Sequence, residues 1–355
     1  MSNTDWELPI PTVGDPITAP DQVTPLLGER EPNEAQSTGQ PSQPRFSRRR
    51  LLLPAGRQPE IDLSEKPRSL GRDAWDDMRH RPLFWISGAL VLLFVAMTLV
   101  PQLFTSANPT LCLLANSRRP PRPGAIFGND FQGCDIFART IYGARASILV
   151  GVCTALAAAL LGGLLGTIAG YLRGWVDAVL SRVADIFFSV PLLMAAIVAG
   201  AFLPVPPVAG MPRAVFQIVF VLSIFGWPNV FRLMRASVIQ VKPQEYVQAA
   251  RALGARPGRL VLSHIVPNAL TPLIVVSTID LGGYITTEAA LSFLGVGLPS
   301  TVVSWGRDIS AASGLGYVRN APFMLLFPAA ALCLAVLAFI MLGDVVRDAL
   351  DPKTR

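Results

Sequence analysis

Side chains able to carry covalent or metal chemistry are few and scattered in this chain. His80 and His264 are its only histidines, and neither HExxH nor GxSxG occurs, so a metal-dependent or Ser–His hydrolytic centre has no scaffold. None of the three lysines, Lys66, Lys242 and Lys353, follows a glycine. The Gly-Lys-Ser/Thr of a phosphate-binding loop is therefore missing, and any ATP hydrolysis has to come from another chain. No catalytic residue and no metal ligand is expected. The four cysteines form no CxxC or Cys/His cluster. Cys153 and Cys333 lie in apolar runs and read as packing residues. Cys112 and Cys134 share one loop, and spacing alone leaves open whether their sulfurs meet. Asp280 and Glu288 stand within an otherwise apolar run, where a carboxylate must face protein or water. Eight residues apart, they fall on roughly one helical face. Two readings stay open: polar contacts with a neighbouring helix, or the lining of a pathway, a proton relay included.

The elements that position these groups follow from composition. Of the 355 residues 51% are hydrophobic and only 15% charged, against about 25% charged in a soluble domain. The apolar excess comes in blocks, which indicates an all-α membrane protein. Six runs approach the roughly 20 residues needed to cross a bilayer: 83–104, 147–171, 186–203, 214–234, 270–293 and 323–342. Pro191, Pro228, Pro272 and Pro328 fall within such runs, either as tolerated kinks or as hinges. Residues 1–65 are rich in Pro, Gln, Ser, Glu and Thr and are expected to be a disordered extension. A basic juxtamembrane segment, 66–82, leads into the six-helix domain, 83–355. Arginines concentrate in the N-terminal region, in the 242–267 loop and at the C-terminus, which places both termini on the cytoplasmic side of the cell membrane. The arginines of 118–145 oppose this assignment, but they lie by a long external loop, 105–140, where charge matters less.

Residues 244–268 read QEYVQAARALGARPGRLVLSHIVPN, a polar and basic insertion between apolar runs. Pro243 suits a first helical position and Glu245 the positive helix end. Ala249, Ala250 and Ala252 favour helix, and Gly254 suits its stop. A second short helix is expected from Pro257. Small side chains at Ala249 and Ala250 admit close approach by another surface. Tyr246 and Leu253, seven apart, can anchor in a groove, ringed by Arg251, Arg256 and Arg259. A helix lying passively on the bilayer surface is the plainer reading.

This loop resembles the EAA loop of ABC importer permeases. Ala249, Ala250, Gly254 and Pro267 match its pattern, whereas Gln248 replaces the usual Glu, His264 an Ile and Val266 a Leu. The resemblance spans roughly 124–355 and is nearest to the C-type permeases of dipeptide and oligopeptide importers. It rests also on the segments IYGAR from Ile141, GYLRGWVD from Gly170, EAALSFLGVG from Glu288, SWG from Ser304 and LGDVVRDALDP from Leu342. In GNDFQGCD, from Gly128, Cys134 stands where the family usually has Arg. The resemblance implies a type I ABC importer permease fold that forms half of a peptide pathway. It implies a second six-helix permease, two cytoplasmic ATPase domains holding ATP and Mg, and an extracytoplasmic peptide-binding protein. Glu245, Tyr246, Gln248, Ala249, Ala250, Arg251, Leu253, Gly254 and Arg256 would form the ATPase-coupling helix. No cofactor is expected on this chain itself, and no nucleic acid. Relatives of the class carry haem, nickel complexes or glutathione instead. The competing reading is an ion-coupled secondary transporter working through Asp280 and Glu288.

Overall fold

The computed structural model describes residue 75, residues 78–203 and residues 210–350. The expected disordered extension and most of the 66–82 segment lie outside them. Among the described residues the regular structure is helical, apart from isolated β-bridges at Arg122–Ala125 and Asn129–Asp135. The helices are α1 (Pro82–Leu99), α2 (Ile136–Leu172), α3 (Gly174–Ser189), α4 (Leu192–Phe202), α5 (Met211–Val241), α6 (Glu245–Ala252), α7 (Pro257–Phe293), α8 (Trp305–Ala312), α9 (Leu315–Asn320) and α10 (Phe323–Leu350). Helices α1, α2, α5, α7 and α10 are each long and apolar enough to cross a bilayer. Helices α3 and α4 pass that test only as a pair, bent by 84° at their junction; taken as one broken span, the third along the chain, they bring the count to six.

Several boundaries move outward from the hydropathy reading, because paired charges extend helices past their apolar centres. The second span begins at Ile136, where Asp135 caps the helix by accepting from the Phe137 and Ala138 amides. The external loop thus ends before residue 140. The fourth span continues past Met234 because Arg235 is held by both carboxylate oxygens of Asp177, at 2.5 and 2.7 Å. The third span starts well before residue 186 and breaks at Val190–Pro191, at one of the prolines that the sequence marks as a kink or hinge. The last helix reaches Leu350 rather than ending near residue 342. The expected second loop helix is not separate. It runs into the fifth span as one rod, α7, through a π turn at Val261–Ile265. Pro267 has no amide hydrogen to give, and the Val266 N–H reaches back to the Val261 carbonyl, which widens that turn by a residue.

Helix α2 is the central post, packed against α1, α5 and α7. Its approach to α5 is set by three glycines one turn apart. A Cβ at Gly162, Gly166 or Gly170 would lie 2.6, 2.7 or 2.9 Å from the carbonyl oxygens of Trp227, Phe231 and Arg235. The two backbones therefore touch, as glycine-lined membrane interfaces allow. On the side of the bundle away from α6, Arg145 donates to the Thr98 and Leu99 carbonyls at the end of α1. Trp305, wholly buried, donates to the Thr140 carbonyl at 2.8 Å. Arg139 pairs with Asp308 and lies 3.7 Å from Asp130, tying α2 to α8 and to the external loop. At the other end Arg81 pairs with Asp348 at 2.7 Å.

Candidate functional site

Two places concentrate the residues singled out by sequence: the loop around α6 and the break in the third span. Helix α6 starts at Glu245, two residues after Pro243, with Gln244 as its cap residue. It closes in a left-handed turn at Gly254, φ +86°. The Ala255 amide returns to the Ala250 carbonyl at 3.1 Å and the Gly254 amide to Arg251 at 3.0 Å, the paired bonds of a Schellman ending. One side of this short helix is anchored. Val247 and Leu260 are fully buried in a cluster with Val230, Met234 and Val238 of α5 and Ala269 and Leu273 of α7. Gln248 donates its amide to the Lys242 carbonyl at 2.9 Å, a bond the Glu usual at this position has no hydrogen to make. The Lys242 ammonium in turn donates to the Tyr171 carbonyl at 2.7 Å. Its desolvation there, with Arg173 and Arg251 nearby, lowers its pKa from the ordinary lysine value.

The other side of α6 is bare. Tyr246 is 45% and Leu253 88% exposed, and Glu245, Gln248, Ala249, Arg251, Gly254 and Arg256 are exposed too. Ala250 differs from Ala249, because it turns inward and packs against the anchoring cluster. The small-residue surface open to a partner is thus carried by Ala249. Val247 and Leu260, which hold the loop to both flanking spans, escaped notice as anchors in the sequence. Their signal was an apolar residue at each short helix in an otherwise polar stretch.

At the break between α3 and α4, a cavity of about 290 Å³ opens among Phe187, Pro191, Phe225, Asn229, Asp280 and Tyr284. Asp280 is half-buried, and its Oδ2 accepts from the Asn229 amide at 3.4 Å. Glu288 lies elsewhere. It is fully buried, accepting from Ser147 at 2.9 Å and Ser292 at 2.8 Å, with Ser304 as a third hydroxyl. Eight residues overshoot two helical turns by about 80°, and that offset separates the two carboxylates. The expectation of one shared face is corrected accordingly: Glu288 is an inter-helix hub joining α2, α7 and α8. A relay through both acids loses its basis. Asn229 was the overlooked partner, marked only as an amide next to Pro228 in an apolar run.

The external loop brings Cys112 and Cys134 together as a disulfide, with Cα atoms 4.1 Å apart. Asp130 shapes the same loop by accepting from the Gln132 and Cys134 amides, both at 2.8 Å. Among the described residues no group of His, Cys, Asp and Glu is arranged to hold a metal.

Residues 162–355 match the family described as "Binding-protein-dependent transport system inner membrane component". The chain is 38% identical over 293 residues to the oligopeptide transport system permease protein OppC of Bacillus subtilis (strain 168), covering 82% of this chain and 93% of that protein. It is 34% identical over 306 residues to the dipeptide transport system permease protein DppC of Alkalihalophilus pseudofirmus, covering 86% and 97%. Among solved structures it is similar to an inward-facing MetNI methionine ABC transporter, with a TM-score of 0.49 and 19% identity over 60% of this chain and 96% of that one.

Proposed function

The chain belongs to the family of binding-protein-dependent transport system inner membrane components, and we propose that it is one of two six-helix permeases in an ATP-driven importer of dipeptides and oligopeptides. The cargo reading is supported by the oligopeptide and dipeptide permeases to which it is similar over most of its length. In this reading a second permease completes the pathway. Two ATPase domains, which bind the ATP and Mg, dock from the cytoplasm, and an extracytoplasmic peptide-binding protein delivers the cargo. Both termini are cytoplasmic.

The observation that carries the proposal is the division of α6 into an anchored and a bare side. Its exposed face, Tyr246, Ala249 and Leu253, is shaped to enter a groove. Its buried face is welded through Val247 to the ends of α5 and α7. A displacement of α6 by an ATPase therefore moves two spans. Those same spans carry Asn229 and Asp280 into the cavity.

The test is affinity purification of the detergent-solubilised chain from its own membrane, wild type against Ala249→Arg. Ala249 is exposed, so an arginine there disturbs the docking face rather than the fold. Wild type is expected to bring down ATPase subunits and a second permease. The variant is expected to keep the permease, lose most of the ATPase and transport no peptide. Recovery of wild type alone, under conditions that preserve other ABC complexes, would overturn the proposal.

A further inference from the structure

We infer that the cavity at the broken span is a subsite for a positively charged amino group of the passing peptide, with Asp280 as its counter-ion. The inference rests on the importer reading above and adds the chemical group recognised.

Asp280 is a carboxylate at membrane depth, where an ionisable side chain is costly and is kept facing protein or water. Among the described residues no arginine or lysine pairs with it, and Asn229 supplies its only hydrogen bond. The nearest candidate cation on the same helix as Asn229 is already engaged. Arg232 pairs with Asp185 at 2.8 Å and lies 3.9 Å over the Phe188 ring. Glu288 gives the contrast on the same helix as Asp280: it is fully buried and three hydroxyls satisfy it. One acid is used for structure, while the other faces space.

That space suits an ammonium group. Its volume, about 290 Å³, exceeds what a single small residue needs, and Phe187, Phe225 and Tyr284 contribute aromatic rings to its wall. Rings beside a carboxylate are the common setting for recognising an organic cation in a partly dry site. The wall exists because the third span is broken. Non-helical backbone at this depth is tolerated where it lines a cavity, and discontinuous helices mark binding sites in transporters of other folds.

The experiment uses the complete transporter, both permeases with their ATPases, in lipid nanodiscs. Its probes are radiolabelled trialanine and N-acetyl-trialanine, which differ in the amino-terminal charge. Wild type is expected to bind trialanine about tenfold more tightly than the acetylated form, the scale of one charge-assisted hydrogen bond. Asp280→Asn is expected to abolish the preference and Asp280→Glu to keep it. Thr287→Lys, seven residues along and lining the same cavity, places a tethered ammonium there. It is expected to reduce trialanine binding to the acetylated level, and it keeps the test decisive if Asp280→Asn fails to assemble. An undiminished preference in Asp280→Asn or in Thr287→Lys would overturn the inference. So would retention of neither probe by wild type. Uptake in proteoliposomes with the binding protein reports separately on the importer reading, which fails if wild type shows no ATP-driven uptake of trialanine.

Discussion

Two acids on one helix illustrate how far residue-level chemistry is decided by neighbours rather than by type. Glu288 receives hydroxyl hydrogens from Ser147, Ser292 and Ser304 in a fully buried site. Replacing it with alanine strands those donors, and a loss of about 1–3 kcal/mol is expected, read as a lower unfolding midpoint of the purified protein in detergent. Glu288→Gln should cost much less, because the serine hydroxyls can rotate to suit an amide. A Glu288→Ala protein as stable as wild type would show that the hub does not hold the helices together. The presence of two intramembrane acids was plain from the sequence, and their angular offset follows from helical geometry. The structural role of Glu288 was not legible, because its partners Ser147 and Ser304 sit far away in the chain and look unremarkable there. Gln248 is a similar case. As a departure from a motif it read as a missing charge, yet its amide makes a bond to Lys242.

At the scale of elements, the long apolar runs were legible because bilayer thickness fixes their length and composition. What escaped was wherever hydropathy is blind: the charged ends of α2 and α5, which persist through ion pairs, and the size of the bend at Pro191, which read as a kink or hinge like three other prolines. The glycine seam was equally hidden, since nothing in a list of small residues says which backbone they will meet. Gly166→Leu forces the α2 and α5 backbones apart at Phe231 and is expected to cost about 1–3 kcal/mol. Leu164→Ala changes a side chain 62% exposed on the same helix and should leave the midpoint nearly unchanged. Thermal unfolding of the two variants side by side checks this, and equal midpoints would remove the seam from the account. The short helix α6 was well marked by its alanines and Gly254. The fusion of the second loop helix into the fifth span through a π turn was not, because a proline such as Pro267 in a membrane helix can mean a kink, a break or a wider turn.

Viewed as a whole, the described molecule has one end carrying the half-bare α6 loop and an opposite end closed by a disulfide, a tryptophan and the Arg139–Asp308 pair. The orientation proposed above assigns the first to the cytoplasm. With the native cysteines left in place, Leu253→Cys adds a thiol at a position 88% exposed. A membrane-impermeant maleimide is expected to label it in inside-out vesicles and not in right-side-out ones. The reverse pattern would invert the topology. The seam between α2 and α5 also bears on how such a chain comes into being. Helix α2 leaves the ribosome with its row of glycines exposed to lipid, and the surface that fits them arrives only after the whole broken span has been made. Until then the newborn protein holds an open seam in the bilayer, and a chain that stops before Met211 never closes it.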